Sequence, residues 1–194
     1  MNKLYKDIIS TLQKSNVIPI LMDYSDTNCL LLVNNLNKAK SILKKMNVKK
    51  LKDNPHELYL YGVDKFGYYS KNGLNLTLCG SLACRSTLNG GWVPLDRKIN
   101  LSAFDNLRID PEGYNHLAYD NELCYLLAKC VYTTRYFSEE DCNRIQVCLN
   151  YLKDEDVYQK IEGVFFNFSH EILVLCRNAC YENIVESVWL FSDY

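Results

Sequence analysis

The stretch DYSDTNCLLLVNNLNKAKSILKK, residues 23–45, decides the fold of this chain. Its apolar run NCLLLV (28–33) predicts a buried strand. A helix is predicted over Leu36–Met46, because its apolar residues recur on one face, and Asn35 is a suitable N-cap. The segment Asp26-Thr27-Asn28 in front of the strand has two interpretations. It is either a metal-binding pair that has lost one carboxylate or a turn between two strands.

Further strand and helix patterns surround this stretch. Residues 3–14 carry a helical apolar stripe. The run VIPILM (17–22) contains Pro19, which favours an edge strand or the first strand of a sheet. Four short strand signals follow, and Lys71-Asn72-Gly73 predicts a tight turn between the last two. The four signals are VKKL (48–51), ELYLYGV (57–63), GYYS (67–70) and LNLTLCG (74–80).

The second half of the chain has a different pattern. Residues 84–115 are rich in Gly, Pro, Asn and Arg and predict a long connection. From Asp120 onward the pattern is helical, and one helix begins at Ser138 as N-cap with Asp141 three residues later. Runs of strands followed by runs of helices predict an α+β fold. We therefore expect an α/β domain over residues 1–100 and a helical domain over residues 101–194.

Composition limits the classes of function. The 194 residues are 48% hydrophobic and 23% charged, as in ordinary globular proteins, and the formal net charge is −1. A duplex-binding surface usually requires a basic excess, so nucleic acid is not the expected partner. No apolar run reaches a membrane span and no secretory signal is visible, so we expect a cytoplasmic protein. Nine cysteines without a C-x-x-C pair predict reduced, buried thiols.

Three segments together resemble the nucleotidyltransferase superfamily, in particular uncharacterised bacterial members. The first is DTNCLLLVNNLNKAKSILKKMNV (26–48), a D-x-N strand followed by a helix. The second is the strand LNLTLCGSL (74–82), and the third is the helical segment LAYDNELCYLLAKCVY (117–132). The resemblance covers most of the chain as an order of elements. It implies a nucleotidyltransferase-like mixed β-sheet domain followed by an α-helical lobe.

The resemblance also implies a particular chemistry. In the family, two carboxylates alternate along one strand and so point to one face, and a third comes from a neighbouring strand. Together they hold Mg²⁺ ions that bridge the phosphates of a nucleoside triphosphate. A Gly-Ser turn ahead of the first strand normally contacts those phosphates. Magnesium and a nucleoside triphosphate are therefore the cofactors that the resemblance implies.

This chain departs from the family pattern at several positions. Asp26 matches the first acid, the catalytic and metal-binding position. Asn28 occupies the second catalytic position, and the third falls at Asn75 or Thr77. One carboxylate of three remains, and no Gly-Ser pair lies between residues 17 and 26. Two other acids, Asp23 and Asp64, would serve only in a different strand register.

The loop ACRSTLNGGWVPLDRK (83–98) is the second candidate site. Its arginines suit bidentate contacts to phosphate, and its tryptophan offers a stacking surface. The alternative is a structured hairpin that turns at Asn89-Gly90. Candidate nucleotide- or phosphate-binding residues in this loop are Arg85, Ser86, Trp92 and Arg97. We expect these residues and the strand bearing Asp26 to face one cleft between the two lobes.

Three functional hypotheses follow. The leading one is a nucleotidyltransferase-fold protein with a degraded metal site that binds a nucleotide or a partner without catalysis. The second is an active Mg²⁺-dependent nucleotidyltransferase that transfers a nucleoside monophosphate to a small molecule or peptide. The third is a helical protein-interaction module, for a protein partner or a second copy of the chain. No substrate or pathway is predicted by the sequence.

Overall fold

The computed structural model describes residues 1–51, 66–85, 92–165 and 168–190. In chain order the elements are α1 (Lys3–Lys14), β1 (Pro19–Tyr24), β2 (Asn28–Val33), α2 (Leu36–Lys45), β3 (Lys49–Lys50), β4 (Phe66–Lys71), β5 (Leu74–Cys79), β6 (Ala83–Arg85), β7 (Trp92–Pro94), α3 (Arg97–Leu101), β8 (Arg108–Ile109), β9 (Asn115–His116), α4 (Tyr119–Ala128), a π-helical turn (Lys129–Thr134), α5 (Glu139–Tyr151), α6 (Asp154–Phe165), α7 (Ser169–Arg177) and α8 (Tyr181–Leu190).

The chain divides into two compact units. The first comprises Met1–Leu82 and Phe104–Leu117, and the second comprises Ala83–Ala103 and Ala118–Tyr194. The first unit carries a mixed sheet with helices, and the second is mainly helical, which confirms the predicted α+β class. The division into independent domains at residue 100 stays a prediction.

The first unit is built on a sheet that has seven strands within the described residues, in the order β3-β4-β5-β2-β1-β9-β8. Strand β2 lies between β5, to which it runs parallel, and β1, to which it runs antiparallel. The predicted strand at 17–22 is the first strand but not an edge, because Ile20 pairs with Asn115 of β9. Pro19 is tolerated there because it opens the strand, where its missing N–H is not needed.

One face of this sheet forms the core of the first unit. Alternate residues of β2, Cys29, Leu31 and Val33, are at most 4% exposed, and they cluster with Leu76 and Leu78 of β5. Helices α1 and α2 contribute their apolar stripes to the same cluster. The apolar faces of β2 and β5 therefore pack against the apolar stripes of α1 and α2, as the sequence predicts.

Both predicted local signals in this unit are confirmed. Asn35 caps α2, since its side-chain oxygen accepts a hydrogen bond from the Lys38 backbone N–H at 3.0 Å. Asn72 and Gly73 both have positive φ, 54° and 77°, between the paired residues Lys71 and Leu74. Two consecutive positive-φ residues give a two-residue turn that fits the twist of a β-hairpin.

Polar contacts join α4, α5 and the π-helical turn in the second unit. Arg144 donates two hydrogen bonds to one oxygen of Glu122, at 2.8 and 3.1 Å, and Glu122 is only 7% exposed. Lys129 pairs with the buried Asp141 at 3.0 Å. Ser138 caps α5 as predicted, because its hydroxyl accepts from the Asp141 N–H and donates to the Asp141 carboxylate.

The prediction of a long connection over residues 84–115 is wrong. Strands β6 and β7 form a hairpin, α3 follows, and β8 and β9 pair antiparallel and extend the main sheet. Strands of two or three residues have too little periodicity to be recognised from sequence. The predicted strand ELYLYGV (57–63) lies outside the described residues.

The cysteines behave as core residues. All nine are free thiols, and seven are buried. Burial raises the pKa of Cys29 and Cys79 to about 12, so these two thiols stay protonated at neutral pH. Within the described residues, no helix combines the length and apolar character that a membrane crossing requires.

Candidate functional site

The candidate site begins at the turn that joins β1 to β2. Tyr24 pairs with Cys29, so the segment between them, with Asp26 and Thr27 at its tip, reverses the chain direction. The Ser25 N–H donates to the Asn28 carbonyl at 2.7 Å, and the Asn28 N–H donates to the Ser25 hydroxyl at 3.1 Å. These two hydrogen bonds fix Asn28 as the first residue of β2. Asp26 and Thr27 therefore lie in the turn between two strands, and Asn28 lies on the second strand.

The structure brings Asn28 together with Asn75 of β5. The two residues are direct partners in the parallel register, and Leu30 is paired with Thr77. The Asn75 side-chain amide donates to the side-chain oxygen of Asn28 at 3.2 Å. The sequence left Asn75 and Thr77 open as the third position of the family pattern. The strand register selects Asn75 as the residue beside Asn28.

The backbone of Asn75 is held from two sides. Its N–H donates to the Thr27 carbonyl at 2.8 Å, and its carbonyl accepts from the Tyr5 hydroxyl at 2.9 Å. Tyr5 lies on α1 and is 1% exposed. This contact was not predicted, since Tyr5 lies 70 residues before Asn75 and no sequence signal joins them. It anchors the end of β5 to the core of the unit.

The side-chain amide of Asn28 is also occupied. It donates to the Thr27 hydroxyl at 3.0 Å and lies 3.5 Å from the Ser25 hydroxyl. Both donor hydrogens therefore point into the turn, while the carbonyl oxygen points to Asn75. The Asn28 side chain is exposed but has a fixed orientation, because each of its polar atoms has a partner.

Two acids border this pair of asparagines. Asp26 is exposed in the turn, and among the described residues its carboxylate makes no hydrogen bond or ion pair. Asp23 is half-buried on β1, where a bulge at Met22 shifts the register so that Asp23 faces Leu30. Directly paired residues point to the same face of a sheet, so the bulge turns Asp23 toward the face of Asn28. Asp64 lies outside the described residues.

The side chains at this end of the sheet do not fit the metal site that the resemblance implies. Such a site needs several carboxylate oxygens around a common point. Here the two paired side chains are neutral amides that bind each other. Within the described residues, no group of three or more His, Cys, Asp or Glu side chains is arranged to hold a metal ion.

The predicted anion-binding loop belongs to the second unit. Strands β6 and β7 pair through Cys84 and Val93, as expected for the hairpin alternative. Ser86 and the side chains of Arg85 and Trp92 lie outside the described part of the chain. Arg97 is exposed in the first turn of α3, directly after the N-cap Asp96. The structure thus describes only Arg97 of the four predicted side chains.

Two polar clusters were missed by the sequence patterns. In the first unit, the His116 Nε2 and Asp110 Oδ2 atoms lie at a hydrogen-bond distance of 3.0 Å across the β8–β9 hairpin. In the second unit, the Lys160 ammonium contacts Asp120, Ser102 and Asn121 at 2.9 to 3.0 Å, beside a cleft of about 780 Å³. The partners are 6 to 58 residues apart in sequence, and none has a spacing that marks a motif.

Comparison with known proteins supports the fold. No family model matches the chain, and no curated protein matches it. Among solved structures it is similar to the antibiotic-resistance factor ANT(2'')-Ia, an aminoglycoside nucleotidyltransferase, whose solution structure shows substrate-regulated conformational dynamics. The similarity covers 92% of this chain and 96% of that chain, with a TM-score of 0.50 and 8% identity. The nucleotidyltransferase-like fold is therefore confirmed, and the similarity extends to the fold alone.

Proposed function

We propose that this protein is a nucleotidyltransferase-fold binding protein that holds a nucleotide without transferring it. The Asn28–Asn75 pair is the observation that carries this proposal. The two residues lie on adjacent strands, at positions that the resemblance assigns to metal-binding acids, and a neutral amide is a poorer ligand for Mg²⁺ than a carboxylate. Without the metal ions, the charge that builds up on phosphates during transfer is not offset.

A nucleotide would meet a polar surface at this end of the sheet. The hydroxyls of the β1–β2 turn and the exposed carboxylate of Asp26 can accept hydrogen bonds from ribose hydroxyls or base amino groups. In this proposal, Arg85, Ser86, Trp92 and Arg97 serve as phosphate- or base-binding residues, because guanidinium groups bind phosphate and tryptophan stacks on bases. No aminoglycoside-modifying activity is proposed for this chain.

Calorimetry on the full chain tests the proposal. We expect heat of binding with ATP or CTP that is the same in MgCl₂ and in EDTA, and no release of pyrophosphate on prolonged incubation. Replacing Asp26 by alanine removes one charged acceptor and should weaken binding by about tenfold, since a hydrogen bond to a charged group contributes about 1.5 kcal/mol or more. Asp105→Ala, which removes an exposed acid in another loop, is the matched control and should bind like the wild type.

The alternatives give different results in the same experiment. Binding that requires Mg²⁺, disappears in Asp26→Ala and is accompanied by pyrophosphate release would establish the active transferase instead. Absence of heat with every nucleotide, in a chain folded by circular dichroism, would eliminate both nucleotide-based hypotheses.

A second candidate function is protein interaction through the helical unit. Tyr158 of α6 and Val174 of α7 are 38% and 44% exposed, and with Leu173 they line a groove of about 460 Å³. Exposed apolar surface that is gathered in a groove is typical of interaction sites. This candidate is favoured because the exposed apolar side chains line one groove together, whereas isolated exposed apolar residues are common on any protein.

Sedimentation of the full chain tests this second candidate. If copies of the chain associate through the groove, the sedimentation coefficient should rise with concentration, and Val174→Asp should abolish the rise. Val147→Asp is the control, because Val147 is equally exposed, at 46%, but does not line the groove. A concentration-dependent rise that persists in Val174→Asp would place the contact elsewhere.

A further inference from the structure

We infer that the Asn28–Asn75 amide pair takes the place of a metal ion where β2 and β5 begin, so that this end of the sheet is complete without a divalent cation. The inference rests on the proposed function and deepens it, since it specifies that the ligand binds without metal. It is supported by the hydrogen bond of 3.2 Å between the two side chains, which belong to directly paired residues.

The Asn75 side-chain nitrogen and the Asn28 side-chain oxygen face each other at hydrogen-bond distance. If residues 28 and 75 were both carboxylates, two negative groups at this distance would repel unless a cation lay between them. In this chain one of the two groups is an amide N–H. It presents a partial positive charge to the opposite oxygen and thereby satisfies it without an ion.

The surrounding contacts hold the pair in this orientation. The amide of Asn28 is committed to Thr27, so its oxygen is directed at Asn75. The backbone of Asn75 is fixed by Thr27 and by the buried Tyr5 hydroxyl. Turning either side chain away loses the hydrogen bond between the two, and while that bond is kept a cation that approaches the pair meets one free side-chain oxygen at most.

The nearby acids allow a sharp test of this inference. Asp26 lies in the turn next to Asn28, and the bulge in β1 turns Asp23 to the same face. The double variant Asn28→Asp/Asn75→Asp would add two carboxylates beside these acids. Four carboxylates at one end of the sheet repel one another, and a divalent cation bound among them relieves that repulsion. The wild type lacks the two added carboxylates, so a divalent cation has no comparable repulsion to relieve.

The experiment is thermal unfolding of the full chain in EDTA and in excess MgCl₂, CaCl₂ or MnCl₂, without nucleotide. For the wild type we expect the same Tm in all conditions. For Asn28→Asp/Asn75→Asp we expect a lower Tm in EDTA and a rise on the order of 3 °C or more with a divalent cation. Asn37→Asp/Asn47→Asp is the control, because it adds the same charge at exposed positions on and after α2 and should show no cation response.

Each outcome decides the inference. A rise in the wild-type Tm with Mg²⁺ that matches the rise of the double variant would overturn it. A double variant that is folded in EDTA and shows no cation response would also overturn it. If the double variant does not fold in EDTA, recovery of its circular dichroism spectrum on adding a divalent cation supports the inference, and failure to recover contradicts it.

A single variant separates the effect of the hydrogen-bonded pair from the effect of the added negative charge. Asn28→Asp alone keeps an acceptor for the Asn75 amide, so a divalent cation should raise its Tm by less than it raises the Tm of the double variant. Because no nucleotide is present, these results do not depend on the calorimetric test. If thermal unfolding contradicts the inference while calorimetry shows nucleotide binding without metal, the role of the amide pair is rejected and the proposed function is kept.

Discussion

Truncation of Leu78 to alanine is expected to lower the free energy of unfolding by about 3 kcal/mol. Leu78 is fully buried near the C-terminal end of β5, where it pairs with Leu31 of β2 and joins the cluster beneath α1 and α2. Removal of a buried leucine side chain loses its transfer free energy and leaves a cavity, which together typically cost 2–5 kcal/mol, or about 3 kcal/mol as a central value. Urea unfolding monitored by circular dichroism measures the change.

Leu101→Ala is the matched control for this variant. It deletes the same atoms from a leucine that is 70% exposed, so its effect should stay within about 0.5 kcal/mol. Equal destabilisation by the two variants would mean that Leu78 does not lie in a packed core. Because β5 also carries Asn75, a loosened β5 should reduce nucleotide affinity in parallel with stability.

Replacement of Asp141 by alanine should cost about 3 kcal/mol. The Asp141 carboxylate is buried, pairs with the Lys129 ammonium at 3.0 Å and accepts from the Ser138 hydroxyl at 2.8 Å. Removal of one member of a buried ion pair leaves the other charge desolvated, and the cap of α5 loses a hydrogen-bond partner. Glu140→Ala is the control, because this neighbouring acid is exposed in the same helical turn and has the same effect on the helix dipole.

The stabilisation by Asp141 should depend on pH. Burial raises the pKa of the carboxyl, but hydrogen bonds from Lys129 and Ser138 and the charges of Lys129 and Arg144 lower it more, so the pKa falls below its ordinary 3.8. A group with a lowered folded-state pKa stabilises above its unfolded pKa and loses that contribution as the pH falls through the folded value. The difference in stability between wild type and Asp141→Ala should therefore be full at neutral pH and shrink below about pH 4.

A constant difference down to low pH would show that packing, and not the charge of Asp141, supports α5. Glu140→Ala should show little difference from the wild type at any of these pH values. The comparison thus separates the buried ion pair from the general acidity of the first turn of α5.

The local elements of the fold were predictable because their signals are local. The run NCLLLV became β2 at its predicted bounds, Asn35 and Ser138 cap the predicted helices, and Asn72-Gly73 forms the predicted turn. Propensity, periodicity and capping each act over a few residues, so they can be recognised in the sequence. The short strands β8 and β9 were missed because two residues carry no period.

The candidate site was predictable in composition but not in geometry. The resemblance assigned Asp26, Asn28 and either Asn75 or Thr77 to the positions of the family's acid set, and this assignment stays a prediction. Asn28 and Asn75 are 47 residues apart, and only the β2–β5 register makes them partners. No local signal fixes the register between strands that are distant in sequence.

By itself, the sequence determined the α+β class, the strand that bears Asn28, and the scarcity of acids around it, because residue identity and local pattern suffice for these. The tertiary structure decided that Asn75 rather than Thr77 binds Asn28, that Tyr5 anchors Asn75, and that a bulge turns Asp23 to the face of the pair. These three features depend on strand register and on packing between distant segments, and such contacts exist only once the chain has folded.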